Sequence, residues 1–310
     1  MIPGIEKYLA VSEEVQQAIA EGQPVLALES TLITHGLAWP HNLETALAIE
    51  AAVRESGVVP ATAAVLDGKL RLGLDGNALQ QLAERGQQAI KCSRRDLSSV
   101  LQSRKSGATT VASTMLIAQL AGVRIFATGG IGGVHRGAAS SFDVSADLQE
   151  LARTPVAVVC AGPKAILDLG LTREYLETQG VPVIGYQTDT LPAFYSRDSA
   201  YPVDQKFDQA EEIAQALQIQ WSLGLAGVLV VNPIPADYAM DREQVEGLIA
   251  DACQAAELAG ISGKDLTPWL LARLEQSTAG RSVQANIALL LNNVRLGAQI
   301  ATAFARLGAS

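Results

Sequence analysis

Short apolar runs recur along this chain, separated by longer stretches with helix-like spacing. The runs are PVLALE (24–29), TAAVLDG (62–68), QQAIKC (87–92), VRIFATG (123–129), PVAVVCAG (155–162), PVIGY (182–186) and AGVLVVN (226–232). Their length and β-branched content predict strands. Residues 42–56, 109–122, 171–180 and 209–224 predict helices between them. Strand–helix alternation of this kind predicts an α/β fold, with three α/β/α layers around a central, largely parallel (mixed) sheet. Near-continuous apolar strands fit burial on both faces. Beyond residue 240 the pattern is mostly helical and predicts a C-terminal helical layer. No linker, low-complexity tract or internal repeat interrupts the pattern, so residues 1–310 read as one domain.

Polar residues stand at one end of several predicted strands. Glu29 ends the first run, and Lys91 follows the apolar part of the third. Thr128 and a glycine loop follow the fourth, Lys164 lies just past VVCAG, and Asn232 ends VLVVN. Taken alone, each is an ordinary surface or cap residue. Together they matter, because open α/β sheets bind ligands beyond the carboxyl ends of their strands.

Composition narrows the possibilities. The chain is 48% apolar and 18% charged, which supports a large core. Lys and Arg number 23 against 32 Asp and Glu, a net charge of −9. That balance argues against a nucleic-acid partner, which needs a basic face, and leaves room for a local pocket for a small phosphate. Cys92, Cys160 and Cys253 form no CxxC pair, so neither zinc nor a disulfide framework is indicated. Reduced thiols and a cytoplasmic location are expected. The first residues include acidic side chains, and no apolar run approaches the ~20 residues of a membrane span. Neither a signal peptide nor a membrane partner is expected.

The glycine loop is GGIGGVHRG (129–137). It departs from GxGxxG because His135 takes the last position, and no GK[ST] follows. Glycine here allows either a close backbone approach to a ligand or positive φ. His135 and Arg136 could address an anion or a carbonyl. The loop leads into FDVSADL (142–148). If Ser145 caps a helix, Asp143 lies in the entering loop and Asp147 in the first turn. Asp143 could then meet a hard cation through oxygen. The ordinary counterpart is a glycine-rich turn with a surface histidine and a solvated aspartate.

Longer blocks are more specific than any of these motifs. They include ALESTLITHGLAWPHNLETA (27–46), ATAAVLDGKLRLGL (61–74), KCSRRDL (91–97), GATTVASTM (107–115) and FATGGIGGVHRG (126–137). They continue through FDVSADLQEL (142–151), VVCAGPKAILDLGLTREYLETQGVPVIGY (158–186), NPIP (232–235) and the segment 263–293. In these blocks the chain resembles the pseudouridine-5′-phosphate glycosidase family, also called the indigoidine synthase A-like family. The resemblance implies reversible cleavage of the C–C glycosidic bond of pseudouridine 5′-phosphate, giving uracil and ribose 5-phosphate. It implies Lys164 as nucleophile and Glu29 as proton donor. Lys91, Val111 through its backbone, and Ser145, Ala146 and Asp147 would contact substrate. Thr128, His135 and Asn286 lie in motifs of the same site. Asp143 would hold Mn2+, and the assembly would be a homotrimer. Pro163 and Ala165 depart from the family pattern, but they flank Lys164 without replacing it.

The chemistry explains these residue types. Ordinary glycosidases use two carboxylates to expel an oxygen or nitrogen leaving group. Uracil C5 is a much poorer leaving group. Protonation of the ring oxygen by Glu29, with attack of Lys164 on C1′, would open the ribose and form an imine that lets the C–C bond break. Such a lysine must be partly neutral near pH 7, which burial or a neighbouring cation such as Lys91 favours. The helix near GATTVAST could receive the phosphate on its first N–H groups. Two other functions compete: a lysine-dependent sugar-phosphate aldolase, and a non-catalytic sugar-phosphate-binding protein on the same scaffold. A uracil requirement separates the first, and turnover separates the second.

Overall fold

The computed structural model describes residues 4–261 and 266–308 of the 310-residue chain. Within the block at 263–293, residues 263–265 therefore lie outside the described residues. The strands in chain order are β1 (Leu9–Val11), β2 (Val25–Leu28), β3 (Val59–Leu66), β4 (Lys69–Leu72), β5 (Ile90–Cys92), β6 (Gly107–Thr109), β7 (Ile125–Ala127), β8 (Val134–His135), β9 (Ala157–Cys160), β10 (Leu167–Asp168), β11 (Val183–Tyr186), β12 (Gln205–Phe207) and β13 (Val228–Val231). The main sheet runs β1-β4-β3-β2-β7-β9-β13-β11-β12. Along this path only β3–β4 is antiparallel, so the sheet is mixed and largely parallel, as expected.

The layering follows from strand periodicity, which sends alternate side chains to opposite faces. Leu26 and Leu28 pack on one face with Leu289 and Val294, whereas Val25 and Ala27 pack on the other with Met115 and Ile117. Helices therefore cover both faces, which explains why β2, β7, β9 and β13 are apolar throughout. The C-terminal layer is built from helices Arg242–Leu258, Leu266–Ser277 and Arg281–Gly308. The last is long and apolar enough, by composition, to cross a membrane. Here it is a core helix that packs on β2, β7 and β9 and buries Leu289, Val294 and Ile300.

One irregularity creates the site. β3 pairs with β2 through Val59–Thr62, but with β4 through Ala63–Leu66. Its Ala64 and Val65 also pair with Ala108 and Gly107 of β6, which runs antiparallel to β3. Where β2 ends, β6 takes over the same edge of β3 and brings β5 alongside. The sheet splits at the carboxyl end of β2, immediately before Glu29.

Candidate active site

Three loops converge on that split. Beyond β2, Ser30 Oγ accepts the Thr109 amide at 2.9 Å, and the Thr31 hydroxyl donates to the Thr109 carbonyl at 2.6 Å. The chain after Glu29 is thereby fastened onto β6. Beyond β7 comes the glycine loop, and beyond β9 comes the turn that carries Lys164. These last two are laced together by backbone. The Ala161 amide donates to the Gly129 carbonyl, that of Ile131 to Gly162, and that of Lys164 to Ile131, at 2.9, 3.2 and 3.0 Å.

The first four glycines of this loop serve packing, whereas Gly137 at its end takes positive φ (79°). Gly129 to Gly133 have no positive φ. A Cβ at Gly130 would come within 2.5 Å of the Phe194 ring, and one at Gly132 within 2.2 Å of Ser145 Oγ. The loop is crowded by the protein's own side chains, including the edge of Phe194.

Asp147 explains much of this crowding. It is buried, and its carboxylate accepts the Ala112 amide at 2.9 Å and the Gly132 amide at 2.8 Å. It thus joins the glycine loop to the start of helix Val111–Ala121. That helix begins after strand β6, with Thr110 as N-cap. Its second N–H group is already satisfied by Asp147, so the Ala112 amide is not one of those free to receive a phosphate. The expected cap is present: Ser145 Oγ accepts the Asp147 amide at 3.3 Å. Arg136 is also differently employed from the expectation, since it pairs with Glu246 at 2.7 Å on helix Arg242–Leu258. Asn232 is structural too. It donates to Asn293 at 3.2 Å, and Asn293 in turn holds the Thr128 carbonyl at 2.9 Å.

A cleft opens over the split, lined by Glu29, His35, Lys91, Lys164, Asn286 and a largely apolar remainder that includes Phe194. A concave, mostly apolar wall with a few convergent polar groups is the usual form of a small-molecule site. Buried Thr128 donates its hydroxyl hydrogen to Glu29. Burial pushes the Glu29 carboxyl above the usual carboxylate range. Lys164, the Thr128 hydrogen bond and Lys91 pull it back only in part. The His135 imidazole is held below its usual range by burial; Asp143 opposes this, and Lys91 and Lys164 add to it. These influences bring Glu29, Lys91, Lys164, His135 and Asp147 into one electrostatic neighbourhood. Val111, Ser145 and Ala146 do not line the cleft wall. The Val111 amide, at the first helical position, has no intrahelical partner.

Asp143 is half-buried, with its carboxylate 4.0 Å from His135 Nδ1. Among the described residues no group of three or more His, Cys, Asp or Glu could hold a metal ion. A single carboxylate of this kind could hold only a hard divalent ion that keeps most of its water.

His35 is the cleft residue that the sequence reading passed over. It lies on a single turn of π-helix, Leu32–Gly36, and its position between Glu29 and Asn42 was visible within a quoted block.

Residues 14–303 match the family model described as indigoidine synthase A like protein. The chain belongs to this family. It is 56% identical over 298 residues to pseudouridine-5′-phosphate glycosidase of Hahella chejuensis, covering 96% of this chain and 98% of the relative. It is 53% identical over 300 residues to the enzyme of that name from Escherichia coli K12, covering 96% of each. Among solved structures, the prealnumycin C-glycosynthase AlnA, in complex with ribulose 5-phosphate, superposes with a TM-score of 0.91 at 40% identity, covering 98% of this chain and 99% of that one. An indigoidine synthase A-like protein of Thermotoga maritima gives 0.87 at 32% identity, covering 96% and 97%.

Proposed function

We propose that this protein cleaves the C–C glycosidic bond of pseudouridine 5′-phosphate, releasing uracil and ribose 5-phosphate in nucleotide breakdown. The observation that carries this reading is the meeting of Glu29, Lys91 and Lys164 in one cleft at the split of the sheet. The names of the curated relatives supply the substrate, and the ribulose 5-phosphate held by the similar C-glycosynthase supports a sugar phosphate here.

In this reading Glu29, kept protonated by burial, gives its proton to O4′ as the ribose ring opens. The Lys164 amine adds to C1′. C5 of the base then gains a proton, and the nitrogen lone pair forms a C1′=N bond. The C1′–C5 electron pair returns to the uracil ring, and uracil leaves neutral. Water adds to the imine, the amine departs, and open-chain ribose 5-phosphate is released. Lys91, the Val111 amide and the Ser145–Ala146–Asp147 turn hold the substrate. Thr128 orients Glu29, and Asn286 meets the ligand from the C-terminal layer. Asp143 holds Mn2+, with His135 beside it. When bound, the ion supplies positive charge that orients substrate oxygens and water. The working assembly in this reading is a homotrimer. Incubation with pseudouridine 5′-phosphate and Mn2+ tests the function. Free uracil is the expected product, and none from folded protein would leave the aldolase or binding-protein readings.

A further inference from the structure

The reaction above needs a proton to travel. Once Lys164 has added to C1′, its nitrogen carries a proton that must leave before the lone pair can push. C5 of the base must gain one before the C–C bond can break. Glu29 is committed to the sugar oxygen at the other end of the event. An imidazole suits this task, because its ordinary titration lies nearest neutral pH.

The structure distinguishes the three histidines. His41 is exposed and paired with Glu44 at 2.9 Å. His135 senses Lys91 and Lys164 but stands against Asp143, the proposed metal ligand, at 4.0 Å. His35 does line it, together with Lys91 and Lys164. Its Nδ1 meets the Thr34 hydroxyl at 2.5 Å, and that hydroxyl donates its own hydrogen to the Thr31 carbonyl at 3.4 Å, so Nδ1 carries the ring hydrogen and Nε2, which makes no hydrogen bond among the described residues, keeps the lone pair. One ring nitrogen is thus anchored and the other is left for chemistry.

The ring is also firmly placed. The Thr31 hydroxyl fixes the start of its turn on β6, and Asn42 Nδ2 holds the Ile33 carbonyl at 2.7 Å and the Ala83 carbonyl at 2.9 Å. Isolated π-turns of this kind recur at functional sites. Burial, and then the charge of Lys91, keeps the imidazole below its usual range. Such a ring is neutral at neutral pH, and a proton that it accepts is readily given up.

We propose that His35 carries the proton from the Lys164 nitrogen to C5 of the departing base. The neutral ring takes the proton from the substituted nitrogen through Nε2. The resulting imidazolium gives the same proton to C5. The C1′–C5 bond then breaks as C1′=N forms, and His35 returns to its neutral state. No other reactant is needed. The inference rests on the lysine-imine reading of the site.

The test uses the full-length protein with pseudouridine 5′-phosphate and Mn2+. Samples are quenched during turnover, and the mass of the Lys164 peptide is measured. In His35→Gln, uracil release should fall about 10²-fold or more, the lower end of what proton transfer contributes. Meanwhile Lys164 should accumulate an adduct of the whole nucleotide, with uracil still attached. Thr34→Val keeps the ring but releases Nδ1, and should show the same stalled adduct to a smaller degree; it serves if His35→Gln does not fold. Uracil release within threefold of wild type in His35→Gln overturns the proposal. So does parallel loss of adduct and release in a folded variant, which would make His35 a binding residue. If wild type itself forms no Lys164 adduct while releasing uracil, the imine reading fails and this inference fails with it.

Discussion

Thr128 donates its hydroxyl hydrogen to the Glu29 carboxyl, and the Thr128 carbonyl is itself held by Asn293 at 2.9 Å. The acid of the proposed reaction is therefore aimed by a fully buried chain that ends at Asn232. A single hydrogen bond of this kind does not offset burial, which keeps the Glu29 carboxyl above its usual range.

The pH dependence follows from that direction. Glu29 acts as an acid while protonated, so turnover should fall as pH rises through its raised folded-state value. Thr128→Val removes a bond that favours the ionised form, and should shift this limb toward higher pH. Glu29→Gln should lower turnover by about 10²–10⁴-fold. For stability, the folded protein keeps a proton that the unfolded chain releases near pH ~4.3. The contribution is full below that pH and is lost as pH rises through the folded value. Calorimetry across this window should show a flatter dependence in Glu29→Gln. Equal slopes would place the buried proton elsewhere.

Asp147 should matter for folding as well as for ligand. Asp147→Ala leaves the Ala112 and Gly132 amides unpaired in a buried place. The expected cost is about 3–6 kcal/mol, from two hydrogen bonds to a charged group. Asp147→Asn should cost roughly half as much, since its one oxygen can still accept one N–H while its amide nitrogen can accept neither. Urea denaturation measures this, and an unchanged midpoint in Asp147→Asn would contradict the scaffold role.

Asp143 should behave in the opposite way. Its side chain is half-exposed and supports no buried element. Asp143→Asn should melt like wild type and yet require more Mn2+ for half-maximal turnover. Chelation should remove most wild-type activity. Full activity in metal-free buffer would refute the metal assignment.

Light scattering at micromolar concentration should give three times the chain mass. A monomer mass would overturn the proposed trimer.

The sequence revealed the parts of this fold whose signal is local. β2, β7, β9 and β13 are apolar throughout because helices cover both faces, so their runs stood out. β4 and β6 did not, since KLRL is broken by two charged residues and GAT is short and opens on glycine, so neither is a continuous apolar run. Helices Glu13–Ala20 and Gly76–Arg85 were missed although Ser12 and Asp75 cap them, accepting from Val15 and Ala78. Those caps were readable and would have found both. Within the site, the strand-end positions of Glu29, Thr128 and Lys164 were legible. The tie from Asp147 to Ala112 was not, because it spans 35 residues. Nor was the role of His35, whose turn depends on Thr109 and Ala83 far along the chain.

The central claim is covalent catalysis by Lys164, and one measurement reaches it directly. Borohydride added during turnover reduces an imine to a stable amine, and the mass of the Lys164 peptide then reports the event. The expected result is a ribose phosphate attached to Lys164, absent from Lys164→Ala together with C–C cleavage. An adduct on Lys91 instead would exchange the two lysines, and no adduct in a sample actively releasing uracil would contradict covalent catalysis altogether.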